Sequence, residues 1–265
     1  MEDDRTVARY WDENADLWTD HVRRGWDAYR EHYNNPAFFQ FLGEVRGKRV
    51  LDAGCGEGCN TRILSRMGAQ VTGIDLSSKL IEHARQAEAH EPLGIHYEVA
   101  SFSRLEGVFA EETFDLIVST VALMDGPDYE GTCRELFRVL RPGGELVASL
   151  THPCFITPGC RWLWNEVDVL PEGLVVADYF DSTPRLEHWR FSKGPIPPDT
   201  PKFAVPRFPR TLSQYLNGLI EAGFRLRRLE EPRPSEEACS KHPWLERWRV
   251  HASPFLYLRA EKPRA

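Results

Sequence analysis

The sequence predicts a doubly wound α/β fold, a parallel sheet with helices on both faces, preceded by a helical segment and interrupted by an insertion after the fifth strand. Three observations lead there. Between residues 47 and 150, short apolar runs rich in β-branched residues ("RVLDAG", "AQVTGID", "IHYEVA", "FDLIVSTVAL", "GELVASL") alternate with helical stretches ("NTRILSRM", "SKLIEHARQAE", "YEGTCRELFRVL"). Strands buried on both faces read as continuous apolar runs, and crossover helices between them make neighbouring strands parallel. The first strand runs into a glycine-rich turn, Gly54-Cys55-Gly56-Glu57-Gly58, at the strand end where such sheets bind ligands. All eight tryptophans lie outside this region, at 11, 18, 26, 162, 164, 189, 244 and 248, as expected if the flanking segments supply bulky apolar bodies that cover the sheet and face a substrate.

Residues 1–46 form the first unit, a helical lid. "TVARYWDENADLWTDHV" places Val7, Tyr10, Trp11, Leu17 and Trp18 on one apolar face, Gly25 interrupts the helix, and Pro36 opens another through "AFFQFL". Residues 47–151 are the ligand-binding core, in which "RPGG" at 141–144 reads as a helix stop and turn. From 152 to 210 the rhythm breaks into a cap. "GLVVADYFDSTPRLEHWRF" suggests two strands joined by a turn at Ser182-Thr183-Pro184, and "GPIPPDTPKFAVPRFP" is too rich in proline for a long regular element. Residues 211–265 complete the core. Thr211 and Gln214 form a capping box for "LSQYLNGLIEAG", and "FRLRRLEE" and "SPFLYLRAE" are strand candidates. There is no internal repeat.

At 265 residues, with 42% apolar and 28% charged residues, the chain buries roughly three quarters of its unfolded surface without disulfide or metal staples. A net charge of -7 disfavours a partner gripped through phosphate neutralisation, so no nucleic-acid partner is expected. No apolar run reaches membrane-spanning length, and the acidic start "MEDDRTVARYWDEN" lacks signal-peptide character. A cytoplasmic protein off the membrane is expected, with its six cysteines (55, 59, 133, 154, 160, 239) reduced. Their spacing gives no zinc pair, so no metal is expected.

The glycine turn narrows the ligand. Its glycines follow G-x-G-x-G, whereas a dinucleotide fingerprint needs glycine at 59, which is Cys. A triphosphate loop would need a Gly-Lys-Ser/Thr end, which is absent. The carboxylates of Asp52 and Glu57 would repel a pyrophosphate but suit a ligand carrying an ammonium and a sulfonium. On electrostatic grounds this favours S-adenosylmethionine. Asp75 closes the second strand where a carboxylate can accept from both ribose hydroxyls. NAD enzymes share this acid, and Asp75 could instead cap the following helix, a role open also to Ser77 or Ser78.

"VLDAGCGEG", "VTGIDLS", "FDLIVSTVAL" and "LRPGGELVAS", in that order and spacing, resemble class I S-adenosylmethionine-dependent methyltransferases, in particular the type 11, small-molecule branch that includes ubiquinone/menaquinone enzymes. The resemblance covers about 47–150 and, less closely, "EAGFRLRRLEEP". It implies a Rossmann-like seven-stranded sheet with the last strand antiparallel. It further implies that Asp52, Gly54, Cys55 and Gly56 line the methionine part, that Asp75 holds the ribose, and that Leu76 packs on adenine. Thr120 and Val121 would then sit near the sulfonium. Where the family usually has Asp near the adenine amino group, this chain has Ser101, followed by Phe102, whose N–H would face the ring.

Methyl transfer needs a base only where the acceptor must lose a proton. His152, in "SLTHPCF" past the fifth strand, is the first candidate, with a structural histidine as its alternative. Asp125, in "ALMDGPD", is the second, with a turn carboxylate as its alternative. Cys154 lacks the further motif of cytosine-methylating enzymes, and the Asn/Asp-Pro-Pro-Tyr string of amino-methylating nucleic-acid enzymes is replaced by "STVA". Tyr10, Trp11, Tyr29 and Tyr33 are lid candidates. Arg161, Arg185, Arg190, Arg207 and Arg210 of the cap are available to an anionic acceptor. A small-molecule methyltransferase is the leading function; an NAD-dependent oxidoreductase and a non-catalytic binding module are the alternatives. The acceptor and the oligomeric state are not legible.

Overall fold

Arg49–Ala53, an apolar run ending beside an acid, forms β1 in the middle of the sheet. The structure is a computed structural model that describes residues 3–165, 170–191 and 196–264. Around β1 the chain lays down α1 (Asp4–Arg23), α2 (Asn35–Leu42), α3 (Cys59–Arg66), β2 (Gln70–Asp75), α4 (Ser78–His90), β3 (His96–Val99), β4 (Phe114–Thr120), α5 (Tyr129–Val139) and β5 (Leu140–Thr151). Four short strands follow: β6 (Arg161–Leu163), β7 (Gly173–Val175), β8 (Arg185–Trp189) and β9 (Phe203–Arg207). Then come α6 (Leu212–Glu221), β10 (Arg225–Glu230), α7 (Glu236–Lys241), α8 (Glu246–Val250) and β11 (Phe255–Glu261).

The main sheet has seven strands in the order β10-β11-β5-β4-β1-β2-β3. Strands β1 to β5 run parallel, and β11 lies antiparallel between β5 and β10. This is the expected seven-stranded arrangement. Alternate residues of the central strands feed opposite faces, as the period of two requires. Val50, Leu116 and Val118 join Phe38, Phe41 and Leu64 on one side. Leu51 and Ile117 join Tyr129, Leu136 and Leu219 on the other. Because α2 contributes Phe38, Phe41 and Leu42 to this core, the last part of the N-terminal segment is held as firmly as the sheet helices.

The cap differs from its sequence reading. The two strands expected on either side of the Ser182-Thr183-Pro184 turn do not pair with each other. β7 pairs with β6, and β8 pairs with β9, both antiparallel. β9 lies inside the proline-rich run, where Pro206 is tolerated because β8–β9 is a two-stranded sheet with open edges. Gly194 and Pro195, which begin that run, lie outside the described residues. "RPGG" also differs in detail. α5 stops at Val139 as expected, but Leu140 pairs with Phe114 and Glu145 with Leu116, so residues 141–144 bulge within β5 rather than ending a turn. The helices α7 and α8 were not foreseen, although Ser235, which accepts from the Ala238 N–H, is a legible N-cap.

α1 is fastened at two places. Asn14 donates to the Ala204 carbonyl at 2.9 Å and accepts from the Ala204 N–H at 3.2 Å, filling a pairing position on β9. Asp12 accepts from the Ser77 hydroxyl at 2.6 Å and the Lys79 N–H at 3.1 Å, at the start of α4. Val22 of α1 packs with Phe191, Phe203 and Val205 of the cap in a small third core. Among the described residues, no helix is long and apolar enough to cross a membrane.

Phe38 is fully buried, so Phe38→Ala should cost about 3–5 kcal/mol. Urea unfolding checks this, and a cost below about 1 kcal/mol would mean that α2 is only loosely attached.

Candidate active site

The C-terminal ends of β1, β2 and β4 open into a cavity of about 390 Å³. α1, the chain from Trp26 to Asn35, and the β8–β9 hairpin close it on the far side. The strand ends meet without room for side chains at the turn. Gly54 has φ 81°, and a Cβ there would stand 2.4 Å from the Cβ of Ala122. Gly58, at φ 87°, begins α3, and its missing Cβ makes way for the Tyr97 hydroxyl.

Asp75 holds this turn from the neighbouring strand. One carboxylate oxygen accepts from the Gly56 N–H and the other from the Ser77 N–H, each at 2.9 Å. Each oxygen keeps a further lone pair for a ligand hydroxyl. Burial pushes this acid up to about 6, against the pull of the two N–H donors. Ser77 caps α4 by accepting from the Leu80 N–H, so Asp75 is free of the capping role. Beyond β4, Val121 carries φ 52°, a costly conformation for a β-branched residue. Its N–H donates to the Ser149 carbonyl at 2.9 Å, which fixes the bend at the cavity wall.

The lining includes most of the expected cofactor residues: Gly54, Cys55, Gly56, Asp75 and Leu76, then Ser101, Phe102, Thr120 and Val121. Asp52 requires correction. It is fully buried and outside the lining, and it accepts from the Thr61 hydroxyl at 2.7 Å behind the turn. Of the lid candidates, Trp11 and Tyr29 line the cavity. Tyr10 is not in the lining and lies beneath the Arg9 guanidinium. Tyr33 is buried in the core, its hydroxyl donating to the Pro232 carbonyl at 2.7 Å.

His152 is also displaced from its expected position. It is 2% exposed and absent from the lining. Its Nε2 pairs with Glu231 at 2.9 Å, and its Nδ1 accepts from the Cys154 N–H at 3.1 Å. With both nitrogens engaged, it has the geometry of a structural histidine joining β5 to the segment after β10. Asp125 does line the cavity, buried, with Arg207 from β9 donating to it at 2.6 Å. Burial raises Asp125 to about 6 although Arg207 opposes the shift. Of the other cap arginines, Arg190 lines the cavity. Arg210 donates to the carbonyls of Gly126 and Pro127, and Arg185 pairs with Asp181.

Sequence reasoning missed several contributors. Arg30 lines the cavity from a π-helical turn, with Glu57 at 3.4 Å and Asp27 at 3.6 Å. Burial pulls its guanidinium down, but the two acids outweigh that and hold it above its usual range. No local pattern marks a π turn. Asn35 donates to Asn60 and Asn60 to Thr120, each at 2.9 Å, leaving the buried Asn35 Oδ1 without a partner among the described residues. Trp18, Trp26, Trp189, Phe191 and Trp248 complete the apolar wall, a role their placement outside the core had suggested for the class.

Comparison with known proteins bears on this geometry. Residues 51–148 match the profile of a family described as a methyltransferase domain. A ubiquinone biosynthesis O-methyltransferase of Xanthomonas oryzae is 36% identical over 137 residues, covering 48% of this chain and 56% of that protein. A malonyl-acyl-carrier-protein O-methyltransferase of Enterobacter lignolyticus is 36% identical over 126 residues, covering 48% and 47%. The chain thus spans about half the length of these curated relatives. Among solved structures, an S-adenosylmethionine-dependent methyltransferase from Mesorhizobium loti has a TM-score of 0.70 at 28% identity, over 86% of this chain and 97% of that one. The chain thus resembles methyltransferases in sequence over residues 51–148, and shares its fold with an S-adenosylmethionine-dependent methyltransferase over 86% of its length.

The cofactor these likenesses imply is S-adenosylmethionine, and the cavity of this chain fits it. The turn has backbone where a Cβ would clash, Asp75 offers two acceptors, and an unpartnered amide oxygen waits at Asn35. In and behind the cavity wall lie carboxylates whose pKa values burial has raised. Asp52 is pushed up to about 7, against about 3.9 in an unfolded chain. The folded state therefore holds a proton that the unfolded state has lost across that interval. The stability this contributes is complete at low pH and disappears as pH rises from about 4 towards 7. Asp52→Asn keeps an acceptor for Thr61 and removes the titration. The fall in stability between pH 5 and pH 8 should shrink by roughly 1–3 kcal/mol in urea titrations; an unchanged slope would place the titration elsewhere.

Proposed function

We propose that the chain transfers the methyl group of S-adenosylmethionine to an O, N, C or S atom of a small, largely apolar molecule. The observation that carries this reading is the continuity of the cavity: Asp75, the Gly54–Gly56 turn and Val121 share one space with Asp125 and the tryptophan wall. The name of the related ubiquinone biosynthesis O-methyltransferases supports a small-molecule acceptor.

When bound, S-adenosylmethionine would supply an electrophilic methyl on a sulfonium, to which an acceptor lone pair would bond as the carbon–sulfur electrons leave with sulfur. The protein's part is placement, exclusion of water and, where required, removal of a proton. Asp75 takes the ribose hydroxyls and Leu76 the adenine face. Ser101 and the Phe102 N–H take the adenine edge. Arg30 takes the carboxylate of the amino-acid end, with Glu57 and the Asn35 oxygen near the ammonium. Thr120 and Val121 border the sulfonium. Asp125 is the base for an acceptor that loses a proton, because one of its oxygens is fixed by Arg207 and burial raises its proton affinity into a useful range. Trp11 and Tyr29 keep water out.

Calorimetry should show S-adenosylhomocysteine binding to the wild type, weakened about 100-fold or more in Asp75→Ala, which loses two charge-assisted bonds. Equal binding by the variant would overturn the ribose assignment. With a protic acceptor, kcat/KM should rise with pH through about 6 as Asp125 ionises. Asp125→Asn should lower kcat about 100-fold and remove that limb, whereas an intact limb in the variant would exclude Asp125 as base.

A further inference from the structure

Three arginines line the cavity, and their charges are not equally answered. Arg30 has Glu57 and Asp27, and Arg207 has Asp125 and Glu187. Arg190 has no acidic partner among the described residues. Its guanidinium donates to the carbonyls of Pro198 and Thr200, which fixes its position without neutralising it. The acids of the lining are already engaged: Asp4 with Arg104, Asp27 and Glu57 with Arg30, Asp125 with Arg207, and Asp75 with two backbone N–H groups. Among the described residues, the site as folded thus holds one cation, Arg190, that no acid answers.

Its surroundings restrict what that complement is attached to. Arg190 follows Trp189 at the end of β8. Trp189 stands edge-on to Trp18 at 5.9 Å, and Trp18 edge-on to Trp11 at 5.3 Å. With Trp26 and Phe191 these rings make this wall of the cavity aromatic, which suits a flat apolar body. The Trp189 Nε1–H is buried with no acceptor among the described residues, so the residues lining the cavity include a second donor without a partner. A buried donor without an acceptor is costly, and an anion next to it would relieve that cost.

Resting on the methyltransferase reading above, we infer that the acceptor is a flat, aromatic or conjugated molecule bearing a carboxylate, its ring among Trp11, Trp18, Trp26 and Trp189 and its carboxylate on Arg190. A neutral acceptor leaves Arg190 unanswered, and a cationic one opposes it. The same tryptophans would suit an ammonium group, so charge selection is the decisive observation.

Three probes with one ring system isolate charge: 2-naphthoate, 2-naphthamide and 2-naphthylmethylammonium. Their binding to the full chain saturated with S-adenosylhomocysteine is read by calorimetry and tryptophan quenching. The naphthoate should bind about tenfold or more tightly than either other probe. Arg190→Gln should abolish that preference while leaving amide and S-adenosylhomocysteine binding unchanged, and Arg190→Lys should restore part of it. Equal binding of acid and amide, or preference for the ammonium, overturns the inference while the methyl-donor site stands. Equal losses for acid and amide in Arg190→Gln would mean that Arg190 only supports the cap, and would also overturn it. If S-adenosylhomocysteine itself fails to bind, both readings fall.

Discussion

A single carboxylate, Asp75, joins the parts of the site that come from different strands. It receives N–H groups from the turn after β1 and from the start of α4, so the glycine turn has a fixed distance from the end of β2. The turn in turn lies against Ala122 after β4, with no space for a side chain at Gly54. These contacts set three strand ends relative to one another before any ligand arrives. Order of this kind is what makes a binding surface effective, since the entropy of arranging its donors and acceptors has been spent in folding.

The remaining half of the cavity is built differently. It rests on a small apolar cluster and on ion pairs that run between core and cap. Arg207 reaches from β9 to Asp125 beyond β4, and Arg210 bonds the carbonyls of the following turn. Breaking such a buried pair by removing one partner leaves a charge without compensation. The cap is therefore secured to the very loop that carries the candidate base. Chemistry on the core side and recognition on the cap side share an anchoring point.

How much of this was legible follows from the range of the interactions involved. The strands, the glycine turn, Asp75 and the capping box at Thr211 are specified by residues close in sequence, and each was readable. Asp52 was misplaced because spacing shows that an acid precedes the turn but not which side of the strand it faces. His152 stands in the right part of the chain, yet its ring turns to Glu231, a partner 79 residues away. Arg30 was invisible because a π turn has no sequence signature and its carboxylate partners lie in two segments. In the cap, short strands with proline paired across distances that local patterns do not encode.

The two hydrogen bonds between Asn14 and Ala204 have a dynamic consequence. One amide side chain occupies a pairing position on β9, so α1 behaves as an extra edge of the cap hairpin. Asp12, less than a turn away, anchors the same helix to the start of α4. α1 and the hairpin thus form one panel, latched to the core at a corner beside Asp75. Uncovering the cavity on this side requires the panel to shift as a unit, with several bonds broken together instead of in sequence. Ligand exchange by that route would be gated, at a rate set by the strength of that latch as well as by the affinity of the ligand.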